Sequence, residues 1–334
     1  MKNGILIAGN IIVDEIKKID VYPAKSMIAH VLSVDKQVGG CVCNTIIDLA
    51  KIDNTQTLKA AGMVGNDSLG EYVIGEMEKN GVDCKNVVVN AAVFTSNSSV
   101  MSDVETNSRT FFSFISGCSA YGEKEIREID FEGCGYFHLG YLFLLNELDK
   151  EDEEEGTVAA KCLKYVQSLG LKTSVDLISD SELGKNGKIK AALRYCDNLI
   201  INEVEGGLLT GIAPRDEKGI LLDDNVEKIL RTIRSYGVKE RIIIHCPERA
   251  YCLSEEGFVK VDSLKLPNGY IKGSVGAGDA FCAGALYRIT KYDTPENILR
   301  FANCTAACSL SEVDSVSGMK DWTTIEAMMK NHYE

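Results

Sequence analysis

No stretch of this chain is apolar over the length a bilayer-crossing helix needs, which removes helical integral membrane proteins at the outset. Two common nucleotide loops are missing as well. There is no Gly-x-x-x-x-Gly-Lys-Ser/Thr, so the chain is not a P-loop kinase. The first strand-like run is not followed by Gly-x-Gly-x-x-Gly, which argues against a nicotinamide enzyme. The 12 cysteines contain no Cys-x-x-Cys pair; Cys41 and Cys43 lie two apart, and Cys304 and Cys308 have helical spacing. They read as small buried hydrophobes rather than zinc ligands or disulfides, and a reducing, cytoplasmic compartment is expected. Basic residues are outnumbered: 36 Lys and Arg against 49 Asp and Glu give a net charge of −13. That balance argues against a nucleic-acid or anionic-membrane partner, while a local pocket can still take an anion. Internal repeats, low-complexity tails and long linkers are also lacking, and the opening residues Met1 to Gly9 read as a strand and turn rather than a signal peptide.

What is present is a chain of 334 residues, 45% hydrophobic, long enough to bury one large α/β core with a small appendage. Apolar runs at Gly4 to Ala8, Tyr136 to Leu139, Lys172 to Leu177, Asn198 to Ile201 and Arg241 to His245 predict core strands. Helical patterns lie between them, for example Leu69 to Asn80 closed by Gly81 and Gly156 to Leu169 closed by Gly170. The alternation predicts a mostly parallel sheet covered by helices, with ligands beyond the C-terminal ends of the strands. Asn10, Asp176 and Asn202 fall just past such ends. Two segments, Ile11 to Val38 and Val88 to Ser116, break this rhythm and read as strands. The acidic run Glu151 to Glu155 precedes a helix, where negative charge suits the helix dipole.

The most informative stretch is Gly273-Ser274-Val275-Gly276-Ala277-Gly278-Asp279-Ala280-Phe281. Glycines allow close approach of backbone to a ligand, and the free N–H groups of a helix start attract anions. An Asp inside that hole is placed to take a proton from a hydroxyl attacking a phosphoryl group. The simpler alternative is an acid that merely favours the helix dipole. Asn202 and Glu205 have the spacing of a helix capping box, which is a sufficient structural reason for both.

The string ending in Asp279 is similar to the C-terminal signature of the ribokinase-like (PfkB-type) carbohydrate kinases, Asp-Thr-x-Gly-Ala-Gly-Asp-x-Phe. A second signature of that family, Gly-Gly-x-x-x-Asn, matches Gly39-Gly40-Cys41-Val42-Cys43-Asn44. Gly9-Asn10 to Asp14, Gly62 to Gly70 and Asn202-Glu203-Val204-Glu205 follow in the family's order, so the resemblance spans about the whole chain. It implies a single ribokinase-like α/β domain over residues 1–334, with the two strand-like segments forming a β lid that in this family also serves as a dimer contact. It further implies Asp279 as catalytic base, and Gly276, Ala277 and Gly278 as the anion hole. Asn10, Asp14, Gly39, Gly40 and Asn44 become the acceptor-binding residues, since sugar hydroxyls need carboxylate and amide partners. Asn202 and Glu205 become the nucleotide side, with Glu205 organising Mg²⁺ through water; His245, which could contact a phosphate or be structural, and Asn303 are further nucleotide-side candidates.

Two departures from the family pattern stand out. Gly273 occupies the place of an Asp that commonly helps bind a monovalent cation, and Lys272 beside it is a candidate substitute charge. The family's Thr-x-Gly-x-x-Gly turn is replaced by His245-Cys246-Pro247-Glu248-Arg249-Ala250, in which Pro247 removes a backbone donor. The resulting expectation is an ATP- and Mg²⁺-dependent kinase of a small sugar. A nucleoside kinase of the same superfamily, or a sugar-binding regulatory protein with weakened catalysis, is the alternative.

Overall fold

In the computed structural model, which describes residues 2–106, 108–179 and 188–333, the chain opens with β1 (Gly4–Gly9), β2 (Ile12–Ile19) and β3 (Val31–Gly39). β4 (Leu58–Gly65), β5 (Asp83–Asn90), β6 (Asn97–Asp103) and β7 (Arg109–Phe114) follow. Next come β8 (Cys134–Leu142), the short β9 (Glu151–Asp152) and β10 (Gly156–Thr157), β11 (Lys172–Leu177) and β12 (Asn198–Asn202). β13 (Arg241–His245), β14 (Arg249–Ser254) and β15 (Gly257–Asp262) complete the strands. Nine of these form one sheet in the order β15-β14-β13-β12-β11-β8-β1-β4-β5, parallel from β13 to β5 and antiparallel at the β14–β15 edge.

The strand alternation sorts the core into two layers. Ile5 and Ile7 of β1 pack on one face with the helices Cys41–Ile52, Ala277–Thr290 and Pro295–Ser309, while Leu6 and Ala8 pack on the other with the helices Val158–Ser168 and Asp223–Arg234. Each fully buried Ile, Leu or Phe in these layers stabilises the fold by roughly 1.5–3 kcal/mol. The helix Ala277–Thr290 is built of small residues for a packing reason. A Cβ on Gly284 would lie 2.3 Å from Thr305 Oγ1, so the neighbouring helix fits only against glycine.

The predicted core strands and the Gly81 and Gly170 stops hold, both glycines having positive φ. The helix expected from Gly156 begins instead at Val158, because the Thr157 hydroxyl accepts a hydrogen bond from Ala160 N and fixes the start there. Glu151 and Asp152 of the acidic run are in a small hairpin with Gly156 and Thr157 rather than in a bare helix lead.

The two strand-like segments form a second sheet, β3-β2-β6-β7, in which only the β2–β6 pair is parallel. The second segment starts later than Val88, however. Val87, Val88 and Val89 pair in parallel with Gly62, Met63 and Val64, so the main sheet claims the chain up to Asn90.

Candidate active site

Asp279 stands in the first turn of the helix Ala277–Thr290 and is 6% exposed. Gly276 forms the N-cap in the left-handed region, at φ 79°, and a Cβ there would be 2.4 Å from the Ser315 Cβ. Only glycine meets both demands. The first-turn N–H groups that follow have no acceptor within the helix, which is the anion-attracting arrangement the sequence suggested.

The Gly39-Gly40 pair has an equally specific reason. Gly40, at φ 82°, starts the helix Cys41–Ile52, and a Cβ on it would sit 2.4 Å from the Asn10 carbonyl oxygen. A Cβ on Gly39 would sit 2.8 Å from Asp14 Oδ2. The pair therefore brings β1, β2 and this helix into one corner. One turn into the helix, Asn44 Nδ2 donates to Asp279 Oδ2 at 2.8 Å, joining the two glycine motifs across 235 residues. Ser315 Oγ donates to Asn44 Oδ1 at 2.8 Å and fixes which end of the amide faces the acid.

Tyr141 is a site residue that no sequence motif marks. Its hydroxyl donates to Asp279 Oδ1 at 3.0 Å and Oδ2 at 3.1 Å. Its backbone is left-handed at φ 53°, an uncommon and strained state for an aromatic residue. Several bonds enforce it: Tyr141 N donates to Asp176 Oδ1 at 2.5 Å, and the Tyr141 carbonyl accepts from Asn10 Nδ2 at 3.3 Å and Leu144 N at 3.0 Å. Asn10 is thereby given a supporting task. It is fully buried, its amide faces the Gly140 and Tyr141 carbonyls, and its Oδ1 has no partner among the described residues.

A cavity of about 270 Å³ opens at this end of the sheet, lined among others by Tyr141, Asp176, Asn202, Glu205, His245, Gly276, Gly278 and Asp279. Three expected nucleotide-side and anion-hole features, the Asn202 and Glu205 pair, His245 and the Gly276 to Gly278 turn, thus share one cavity with Asp279. Asn202 and Glu205 do form a capping box: Glu205 N donates to Asn202 Oδ1, and Asn202 N donates to Glu205 Oε2, both at 2.9 Å. Glu205 Oε1 also accepts from Ser179 Oγ at 2.9 Å. The capping reading of this pair is realised, and both residues also line the cavity.

Electrostatics set the chemistry. Burial, and then the Asp176 charge, push the Asp279 carboxyl up to about 6, with Asn44 and Tyr141 opposing through hydrogen bonds and His138 opposing electrostatically. Burial likewise raises Glu205 to about 7. His245 is pulled down to about 4 by burial and stacks on Phe281, with ring centroids 4.7 Å apart. It lies against Gly278 as a neutral ring and brings no positive charge to a phosphate at neutral pH.

Two expectations are corrected. Lys272 does not line the cavity; its ammonium pairs with Glu312 at 3.0 Å and is half exposed, so it does not replace the missing acid at Gly273. Asn303 also lies outside the cavity lining, where its amide donates to the Asp262 carbonyl and the Tyr333 hydroxyl, each at 3.2 Å. The altered turn after β13 carries Glu248, whose carboxylate accepts from Arg215 Nη1 at 2.7 Å and Nη2 at 2.8 Å, while Arg215 also donates to Glu203.

If Asp279 is the base, its protonation should lower kcat/KM about tenfold per pH unit below pH 6, since the acid must be ionised to accept a proton. Tyr141→Phe removes a donor that favours the ionised form, so the acid limb of a pH–rate profile should move to higher pH. An unmoved limb would take Tyr141 away from the base.

The nine-stranded sheet with its helical layers and small side sheet is the ribokinase-like fold. Among solved structures it superposes on a ribokinase from Thermotoga maritima with TM-score 0.78 and 19% identity, covering 98% of this chain and 99% of the other. It superposes on an Arabidopsis thaliana ribokinase complexed with ribose and ATP with TM-score 0.79 and 16% identity, covering 99% of each chain. A Burkholderia thailandensis nucleoside kinase in complex with inosine gives 0.74 and 15%, again with 99% of each covered. The sequence pattern of the pfkB family carbohydrate kinases matches residues 8–322, and the chain belongs to that family.

Proposed function

We propose that this protein transfers the γ-phosphoryl group of ATP to a hydroxyl of a small sugar. The observation that carries the reading is the joining of Asp279 to Asn44 at the edge of a cavity that also holds Gly276, Gly278, Asn202 and Glu205. A base, an anion-binding helix start and a polar acceptor corner are what an in-line transfer to an alcohol requires.

In this reading Asp279 accepts the proton of the attacking hydroxyl, while Asn44 and Tyr141 hold its oxygens in place. The backbone of Gly276 to Gly278 receives negative charge on the transferred group. The described lining contains three carboxylates, Asp176, Glu205 and Asp279, with no Lys or Arg. A divalent cation therefore fits this cavity, and Glu205 with Asn202 would hold Mg²⁺ through water. When bound, Mg²⁺ neutralises phosphate charge.

A polar acceptor is favoured by one row across the side sheet. Gln37, Asp14, Ser98 and Ser113 are consecutive partners in the strand register, with the two serine hydroxyls 2.8 Å apart. Such a row suits sugar hydroxyls better than the apolar face of a nucleobase. The deciding experiment is an ADP-release assay with Mg-ATP against pentoses, hexoses, keto-deoxy acids and nucleosides, with and without potassium. Sugar-dependent release supports the proposal; nucleoside-only release replaces it with the nucleoside kinase reading. Silence, with thermal stabilisation by a sugar but not by ATP, replaces it with a sugar-binding protein.

The side sheet leaves Leu32, Val34, Phe112 and Phe114 about half exposed or more. We propose that it acts as a lid and that a second copy of the chain covers this surface, as exposed apolar clusters of this kind mark contacts. Sedimentation velocity should then give twice the 36.5 kDa chain mass, falling to the monomer in Phe112→Asp. A monomeric wild type would end this proposal.

A further inference from the structure

His138 and Cys282 have no task in the reaction above, and they meet Asp176 beside the cavity. His138, Cys282 and Asp176 are 0%, 2% and 7% exposed. His138 Nε2 lies 3.6 Å from Asp176 Oδ2 and 3.8 Å from Cys282 Sγ, and the three donor atoms are all within 4.8 Å of one another. We propose that they form a binding site for a borderline-soft divalent ion, Zn²⁺ in the first place, distinct from the Mg²⁺ that accompanies the nucleotide.

The donor set makes the first argument. One imidazole nitrogen, one sulfur and one carboxylate oxygen are characteristic zinc ligands, whereas Mg²⁺ prefers oxygen alone. Geometry makes the second. Tetrahedral Zn²⁺ with bonds of about 2.0–2.3 Å separates neighbouring donors by roughly 3.4–3.6 Å. The two pairs involving His138 are within a few tenths of an ångström of that, and a small turn of the Cys282 or Asp176 side chain closes the third.

The ring is also oriented for it. Ser174 Oγ lies 2.9 Å from His138 Nδ1, so an Nδ1–H donating to Ser174 leaves the Nε2 lone pair facing Asp176 and Cys282. The three ligands come from packed elements rather than loops: His138 is on β8, Asp176 on β11, and Cys282 in the helix Ala277–Thr290. Three protein ligands leave a fourth position open, and the ion has a route to it, because Asp176 and Cys282 both line the cavity.

Binding requires no redox step. The Cys282 thiol gives its proton to solvent as the sulfur–metal bond forms. Cys282 follows Asp279 by one helical turn, and Asp176 also holds the Tyr141 N–H, so an ion here sits beside the base and draws on a residue that positions its partner. Zn²⁺ should therefore lower turnover. That consequence rests on Asp279 being the base; the binding itself does not.

The test uses the full chain, stripped with a chelator and titrated with Co²⁺ alone. One equivalent should give a thiolate-to-cobalt absorption band and the visible spectrum of four-coordinate Co²⁺, both abolished by one equivalent of Zn²⁺. The band should be absent in Cys282→Ser, and Co²⁺ affinity should fall at least tenfold in His138→Gln, with each variant's fold checked by circular dichroism. Zn²⁺ should also raise the thermal midpoint of the wild type and leave both variants unmoved. Should one variant fail to fold, the other decides. No thiolate band in the wild type, or an equal band in Cys282→Ser, overturns the site and leaves the three groups as a hydrogen-bonded relay.

Discussion

Replacing Asp279 with Asn should lower turnover by roughly 10²–10⁴-fold, the usual contribution of a positioned general base. The acceptor's dissociation constant should hardly change. The reason for separating the two effects is local. An Asn side chain has the same shape, accepts the Asn44 amide through its own oxygen and can donate to the Tyr141 hydroxyl, so the corner that Asn44 and Tyr141 brace stays in place. What disappears is the lone pair able to take a proton. Isothermal titration with the sugar, beside steady-state kinetics, checks both halves. Near-normal turnover would remove Asp279 from the mechanism, and loss of sugar binding would make it a recognition residue.

The second large effect should come from Gly276→Ala. The new methyl would be forced into a left-handed backbone at φ 79° and within 2.4 Å of Ser315 Cβ. Backbone strain alone costs about 1–3 kcal/mol, and overpacking adds a similar amount. Relief requires the helix start to move, which spoils the anion hole, so stability and turnover should fall together. Gly278→Ala is the informative control. Its methyl would meet His245 Cε1 at an ordinary 3.5 Å and no positive φ is involved, yet it would project where phosphate oxygens are expected. Denaturant midpoints should drop for the first variant and hold for the second, while both lose activity. Equal stability in the two would mean that the Gly276 turn is more yielding than its geometry implies.

Much of this site was readable because its motifs are local. Gly39-Gly40 with Asn44, Asn202 with Glu205, and Gly276 to Asp279 each encode a turn, a helix start and a polar group within a few residues. The strands were readable too, since β1, β11 and β13 are apolar runs bounded by breaks in the pattern. Tyr141 and Ser315 were not readable, because their importance arises only when β8 and the chain near residue 315 meet the Asp279 helix. Charge state was hidden for a different reason. His245 is basic by composition and neutral by burial, and Lys272 looked available until Glu312 was found beside it. Asn303 is polar on a buried helix face, a pattern equally suited to ligand binding and to the Asp262 and Tyr333 bonds it makes.

The wiring around Asp279 bears on how the protein acquires activity as well as how it exerts it. Its direct partners, Asn44 and Tyr141, are 235 and 138 residues upstream, and Asn44 is itself held by Ser315, 271 residues downstream of it. Contacts of such long sequence separation carry the loop-closure cost that slows folding, and they cannot exist in a partial chain. During synthesis Asp279 therefore has no braced environment until Ser315 has emerged, near the end of the chain. No N-terminal fragment ending before that point should have a functional site. Recovery of turnover after dilution from denaturant should accordingly trail recovery of helical signal.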